Sequence, residues 1–375
     1  MSDYFPLDVA LQEAFFDREE ERKRLKNNIL SNTHTLITSP RRYGKTSLVI
    51  KTFTELKIIA IPMDMMVASD ATKVQHIILN AVGQASSQLA GGVTTILQSI
   101  EKIFQPFRMI QTIELGQFSL KFYPYTHQAP HLVVLDALQR LEKLAVSVKQ
   151  KVVLFFDEYQ HVIDIKGALD FEAALRSFAQ MATHVMCIFS GSNRHLLQAM
   201  FSDQSRPFYN LCDHMFLQRI SEKDYIQHLI MLSQKQWNTA LPLGSVQMIL
   251  TLTACHPYYV NALCRRLWQS NTVPDQSLIM SDWKQLASER HYEISSEFDK
   301  MTPVQRNIII ELSREPFAQP TSKENIRRLD ASTAGIMHAI DNLLQRDQIY
   351  KDDQGQYHVL NPLMEFVLRQ ETLEW

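Results

Sequence analysis

The run Thr35-Leu36-Ile37-Thr38-Ser39-Pro40-Arg41-Arg42-Tyr43-Gly44-Lys45-Thr46-Ser47 passes from an apolar stretch through a tight basic turn into Gly-Lys-Thr. Strand, loop and helix start, in that order, are what phosphate binding requires. The strand delivers the loop to a sheet edge. The loop's backbone N–H groups and the unpaired donors at the helix N-terminus then face the phosphates. The expected cradle is Pro40, Arg41, Arg42, Tyr43, Gly44, Lys45, Thr46 and Ser47. In it Lys45 reaches the β- and γ-phosphates and the Thr46 hydroxyl holds Mg²⁺. The pattern G-x-x-x-x-G-K-[ST] departs at one place, since Ser39 stands where the first Gly belongs. Serine is small and can serve the turn. The alternative is a basic turn before a helix, with no ligand.

A second stretch completes the chemistry. Lys151-Val152-Val153-Leu154-Phe155-Phe156-Asp157-Glu158 is a short apolar run ending in two carboxylates. Such a run suits a strand buried on both faces of a parallel sheet. Acids at its C-terminal end sit where open α/β sheets bind ligands. Asp157 is expected to bind Mg²⁺ through its water shell, and Glu158 to polarise the attacking water as general base. A strand ending in solvated acids is the bland alternative. It loses ground because the Lys45 loop lies upstream in the right order.

The elements that must position these groups follow from pattern. Residues 17–31 read as a charged helix leading into the first strand, with i, i+4 charge pairs on a solvated face. Lys57 to Met65 reads as a strand. Residues 71–104 are helical with a break near Gly91-Gly92, 108–123 alternate as a hairpin, and 131–149 form an amphipathic helix. A helix over 168–182 precedes a buried strand over His184–Asn193. Strands alternating with helices predict a doubly wound, mostly parallel sheet. The 375 residues leave room for two or three domains.

Net charge is −2, which argues against wholesale nucleic-acid binding by field alone. Cys187, Cys212, Cys255 and Cys264 show no C-x-x-C spacing and read as buried thiols of a reducing, cytoplasmic compartment. Met-Ser-Asp-Tyr-Phe-Pro lacks the basic and apolar regions of a signal peptide. No apolar run reaches the length of a membrane helix.

These strings, with Phe16-Asp17-Arg18-Glu19, Phe189-Ser190-Gly191-Ser192-Asn193 and His256-Pro257-Tyr258-Tyr259-Val260, resemble the archaeal-type P-loop ATPases. That family is related to the STAND branch of the AAA+ group, and the resemblance spans roughly residues 12–270. It implies an α/β P-loop NTPase fold with a helical lid and a C-terminal winged helix. The implied domains are 1–219 (ATPase core), 220–299 (lid and linker) and 300–375 (winged helix). It implies ATP/ADP and Mg²⁺ as ligands, with Phe16 and Arg18 near the adenine. Ser192 or Asn193 becomes the polar residue that orients water toward the γ-phosphate, and His256-Pro257 the lid element reporting on the phosphates. Cys255 replaces the usual Gly before His-Pro. Asn210-Leu211 stands where Gly-Arg often follows Pro-x-Tyr. These departures bear on hydrolysis rate and on any arginine finger. Arg194 and Arg206 read as solvated surface arginines, with charge donation as the alternative.

The C-terminal region carries its own pattern. Thr302-Pro303 opens one helix, Ser322 a second and Ser332 a third, followed by two short strands around Asp352-Asp353-Gln354-Gly355-Gln356. Helix, helix, helix, hairpin is a winged helix, whose third helix could enter a DNA groove. Yet residues 301–375 hold 8 Lys/Arg against 11 Asp/Glu, a net charge of −3, and the third helix has no arginine before Arg346. A DNA reader shows a basic stripe. A protein partner or self-association is therefore weighed above DNA. The functional expectation is an ATP-driven switch or motor. A DNA-associated regulator, replication or mobile-element factor, and a nucleotide-binding scaffold with little turnover, remain alternatives.

Overall fold

The computed structural model describes residues 4–91, 94–114, 117–125, 128–352 and 354–373. It divides into two compact units, one of residues 18–41 and 45–217, the other of 1–17, 42–44 and 218–375.

The first unit begins with α1 (Glu19–Leu30), β1 (Thr35–Thr38), α2 (Lys45–Leu56) and β2 (Ile59–Asp64). It continues through α3 (Ala71–Ala90), α4 (Thr94–Ile103), the hairpin β3 (Phe107–Glu114) and β4 (Gln117–Pro124), and α5 (Pro130–Val148). It closes with β5 (Val152–Asp157), α6 (Ala168–Ala179), β6 (Val185–Gly191), α7 (Arg194–Ser202) and β7 (Asp213–Phe216). The sheet order is β2-β5-β6-β1-β7, and all four pairings are parallel. The expected doubly wound sheet is present. Val152 to Phe156 and the whole of β6 are buried, as near-continuous apolar runs in a parallel sheet must be. Phe156 and Phe189 stack at 4.9 Å between β5 and β6. The 71–104 helical stretch and the hairpin are also found, within a residue or two of their expected bounds. Of the expected break near Gly91-Gly92, Gly91 is the left-handed C-cap of α3, and Gly92 lies outside the described residues.

Parallel strands place their C-terminal ends on one edge. β6 lies between β1, which feeds the basic loop, and β5, which ends in the two acids. Residues that close β6 are therefore flanked on both sides by candidate chemistry.

The second unit holds α8 (Glu222–Trp237), α9 (Leu243–Thr253), α10 (Pro257–Leu267), α11 (Gln276–Glu289) and α12 (His291–Asp299). It then runs through α13 (Pro303–Arg314), α14 (Lys323–Leu329), α15 (Thr333–Gln345), the antiparallel pair β8 (Ile349–Lys351) and β9 (Tyr357–Val359), and α16 (Pro362–Leu373). The last part has the element order of a winged helix. Thr302 and Gln305 make a reciprocal capping box with Pro303 in the first turn of α13, a device that contributes about 1 kcal/mol. Ser322 and Ser332 cap α14 and α15. One apolar core runs through the unit, from Tyr225 and Trp283 to Ile308, Ile340 and Leu363. The helices from α13 onward thus share their interior with α8–α11, and Phe366 packs edge-on to Trp283 at 6.1 Å.

Candidate nucleotide site

The strand-end cluster lies wholly in the first unit. Ser39 is fully buried and is not among the residues with positive φ, so its backbone does not need the glycine of the usual pattern. Gly44, at φ 87°, does occupy the region that glycine favours. The Lys45 side chain is buried. Its Nζ donates to Ser39 O at 3.2 Å, Pro40 O at 3.3 Å and Ser39 Oγ at 3.4 Å, while Glu158 Oε1 stands 4.0 Å away. The ammonium is held chiefly by loop oxygens that an anion's oxygens can replace.

Asp157 is bound on both oxygens. Oδ2 accepts from the Thr46 hydroxyl at 2.8 Å, and Oδ1 accepts from the Ser190 hydroxyl and from Glu158 N–H at 3.1 Å. A hydroxyl and a carboxylate in contact are hard oxygen donors of the kind Mg²⁺ takes.

Glu158 sits just beyond β5 with φ 52°, a left-handed conformation costing a non-glycine residue about 1 kcal/mol. Its Oε2 accepts from Ser192 Oγ at 2.7 Å, from Ser192 N–H at 3.2 Å and from the Gln160 amide. Burial pushes the carboxyl up, but the Lys45 charge and the Gln160 and Ser192 hydrogen bonds outweigh it. The group lies below its ordinary value and is ionised at neutral pH. Gly191 makes this possible, since a Cβ there would strike the Gln160 side chain that holds the carboxylate.

Of the two residues expected to face the γ-phosphate, Ser192 joins the cluster. Asn193 instead caps α7, accepting from Leu196 N–H at 3.0 Å. Arg41 is exposed, with Nε 3.5 Å from Ser192 Oγ. Ser47 is buried in the first turn of α2. Arg18 opens α1 and pairs with Glu21 at 2.9 Å.

Arg42, Tyr43 and Gly44, the loop tip, group with the second unit. Arg42 has φ 64° and lays its guanidinium 4.0 Å from the Tyr258 ring centre. Tyr43 is buried, meets His256 edge-on at 4.9 Å, and accepts a hydrogen bond from Arg219 Nε at 3.0 Å. His256 stands at the N-cap of α10 and Pro257 at its first position. The buried imidazole is pushed down to about 3 by desolvation, with the Arg219 and Arg42 charges adding to it, and among the described residues Nδ1 has no hydrogen-bond partner. Phe16 stacks on His228 with centroids 3.7 Å apart and meets Tyr225 edge-on at 5.2 Å.

Arg206 corrects the sequence expectation. It is no solvated arginine, because it forms a bidentate pair with the fully buried Glu172. Arg194 lies 5.3 Å from the Phe216 ring. The sequence marked Ser190 only as the start of the polar strand end at 190–193, and it assigned no role to Gln160 or Arg219. Gln160 and Ser190 lie inside strings already noted for their acids and strand end. Arg219 carries no local signal. All four cysteines are free thiols. Among the described residues no helix is long and apolar enough to cross a membrane.

No protein-family model matches the sequence, and a search of curated proteins finds no match. Solved structures do match. The Walker-type ATPase PABY2304 of Pyrococcus abyssi superposes with a TM-score of 0.67 at 17% identity, over 98% of this chain and 99% of that one. The ORC2 protein of Aeropyrum pernix, in ADPNP and ADP complexes, gives 0.57 at 11% identity, over 100% and 99%. At these identities the likeness is one of fold.

Proposed function

We propose that this chain, which has the AAA+-like α/β fold of the archaeal Walker-type P-loop ATPases, binds ATP with Mg²⁺ and hydrolyses it as a nucleotide-controlled switch or motor. One observation carries the reading. At a single sheet edge stand a buried lysine held by loop oxygens, a Thr46–Asp157 bond, and an ionised Glu158 fixed by Ser192 and Gln160. The donor set suits the ligands. Thr46 and Asp157 would hold Mg²⁺, which when bound neutralises and positions phosphate oxygens. Lys45 places its charge on the transferring phosphoryl group. Glu158 accepts a hydrogen bond from the attacking water and orients it, while Ser192 keeps the carboxylate in place. The depressed Glu158 pKa makes it an aligning acceptor more than a strong base. The adenine nucleotides named for the Aeropyrum pernix neighbour support ATP as the ligand class.

In the same reading, residues 1–219 are the ATPase core, 220–299 the lid and linker, and 300–375 a winged-helix domain. Phe16, Arg18, His256 and Pro257 belong to the nucleotide site. The partner is a protein surface or a second copy of the chain in preference to DNA, as the net charge of −3 over 301–375 favours.

The test is ATP binding and turnover by the full chain. Lys45→Ala should lose measurable affinity, and Glu158→Gln should keep Mg·ATP bound while turnover falls about 10²-fold or more. A folded Lys45→Ala chain with parental affinity, or a Glu158→Gln chain with parental turnover, refutes the assignment.

A further inference from the structure

Arg219 follows β7 by three residues and belongs to the second unit. Its guanidinium joins three stretches distant in sequence: the loop tip, the end of α9 and the β8–β9 hairpin. Nε donates to the Tyr43 hydroxyl at 3.0 Å, Nη1 to Ala254 O at 2.6 Å and Nη2 to Leu360 O at 3.0 Å. Its face lies 4.4 Å from the Tyr350 ring centre. These hydrogen bonds go to one phenol on the loop and to two backbone carbonyls, each of which sits at an element's end. Ala254 caps α9, and Leu360 follows β9 directly. Tyr350 is the central residue of β8.

A guanidinium is a rigid planar fork. Three acceptors and a stacked ring cannot be kept if one of them shifts while the others stay. The acceptor on the loop is Tyr43, two residues before Lys45 along the chain, between Arg42 at φ 64° and Gly44 at φ 87°. Its hydroxyl is tied by Arg219, so backbone rearrangement at the tip is felt at the fork. On the far side, Tyr350 and Leu360 bracket the β8–β9 hairpin.

We infer that Arg219 is a positioning residue that links the loop tip to the β8–β9 hairpin, so that an anion on the loop and an ordered hairpin favour each other. The anion half rests on the nucleotide reading above. The clasp itself does not. Linkage is reciprocal, so a change at the hairpin must alter affinity at the loop by the factor that ligand alters hairpin order.

Hydrogen exchange of the 349–360 amides in the full chain tests both halves. Without nucleotide, Tyr43→Phe and Arg219→Lys should each speed exchange there about 5-fold. The double variant should do no more than Arg219→Lys alone, because the Tyr43 bond is already lost with the guanidinium. Unchanged exchange, or effects that add, overturns the clasp. With Mg·ATP, the parent's hairpin amides should slow by about 5-fold, the low end of common coupling. Tyr350→Leu should weaken ATP affinity by a similar factor, while Lys351→Ala on the same hairpin should not. Parental ATP binding with no hairpin response overturns the linkage alone. A parent chain that binds no ATP overturns the functional proposal and the anion half together, and the nucleotide-free arm still decides the clasp.

Discussion

Two buried histidines make the second unit sensitive to mild acid. His256 is pushed down to about 3, by burial and by the Arg219 and Arg42 charges, and His228 to about 4, by burial and by Lys235. The ordinary value is 6.5. A histidine depressed in the folded state is protonated first in the unfolded chain, so stability falls as pH drops through 6.5. At pH 5 the unfolded imidazole is about 1.5 units below its pKa, while both folded ones remain neutral. At 1.36 kcal/mol per unit, each histidine costs roughly 2 kcal/mol relative to pH 7, and the pair roughly 4. The figure depends little on the folded values so long as they stay below about 4.5. Urea unfolding followed by tryptophan fluorescence reads it, because Trp237, Trp268 and Trp283 lie in this unit. His256→Gln should lose about 2 kcal/mol less than the parent between pH 7 and pH 5. Carboxylates common to both chains cancel in that difference. Equal losses in the two chains would show that His256 is not held neutral beneath Tyr43, and the packing argument for the loop tip would fall with it.

Three further outcomes follow from the first unit and from charge. Asp157→Asn should weaken ATP binding about 10-fold in the presence of Mg²⁺ and hardly at all in EDTA, measured by equilibrium dialysis. Equal losses in both buffers would move the metal elsewhere. Arg206→Met strips the buried Glu172 of its partner and should cost about 3 kcal/mol at pH 7, as broken buried pairs do. Burial already holds the Glu172 carboxyl above its ordinary value, so that cost should shrink at pH 5 in thermal unfolding, and a cost that grows contradicts the pairing. The full chain should bind duplex DNA no better than about 10⁻⁴ M at physiological salt, the weak edge of non-specific binding. Tight binding with a steep salt slope, read by anisotropy, would put the DNA-associated reading first.

The sheet and the acids were legible because parallel-sheet strands must be apolar throughout and break abruptly into polar ends. Val152–Phe156 and Val185–Phe189 could be little else, and their order along the chain placed the acids beside the loop. The winged-helix order was legible through its caps, since Thr302, Ser322 and Ser332 each precede an amphipathic run. Tertiary pairings were not legible. Arg206 looked solvated because its partner Glu172 lies on another helix, and no local rule marks a carboxylate that the fold buries completely. Asn193 looked like a site residue because Asn suits both a γ-phosphate contact and a helix N-cap, and here the cap takes its side chain. Ser39 looked like a defect because the motif encodes glycine, whereas the backbone there asks only for a small residue.

The shared core of the second unit limits what its C-terminal part can do. Leu363, Met364, Val367 and Leu368 of α16 are buried in the same core as Trp283 and Leu286 of α11. Fully exposing one such side chain costs roughly 1.5–3 kcal/mol, so lifting the helix away would cost several times that. The helices from α13 onward are therefore poor candidates for detachment from α8–α11. The β8–β9 hairpin is different. It is three residues a side, and a two-stranded ribbon of that length is marginal by itself. Its anchors are Ile349, Tyr357 and Val359 in the core, an isolated bridge from Phe317 to Tyr357, and the Arg219 stack on Tyr350. Losing the last of these removes a cation–π contact and frees Leu360 O while leaving the apolar anchors in place. A perturbation at the loop tip thus finds its cheapest response in the hairpin, where losing a contact worth about 1 kcal/mol is large against what holds the strands and small against what holds the helices.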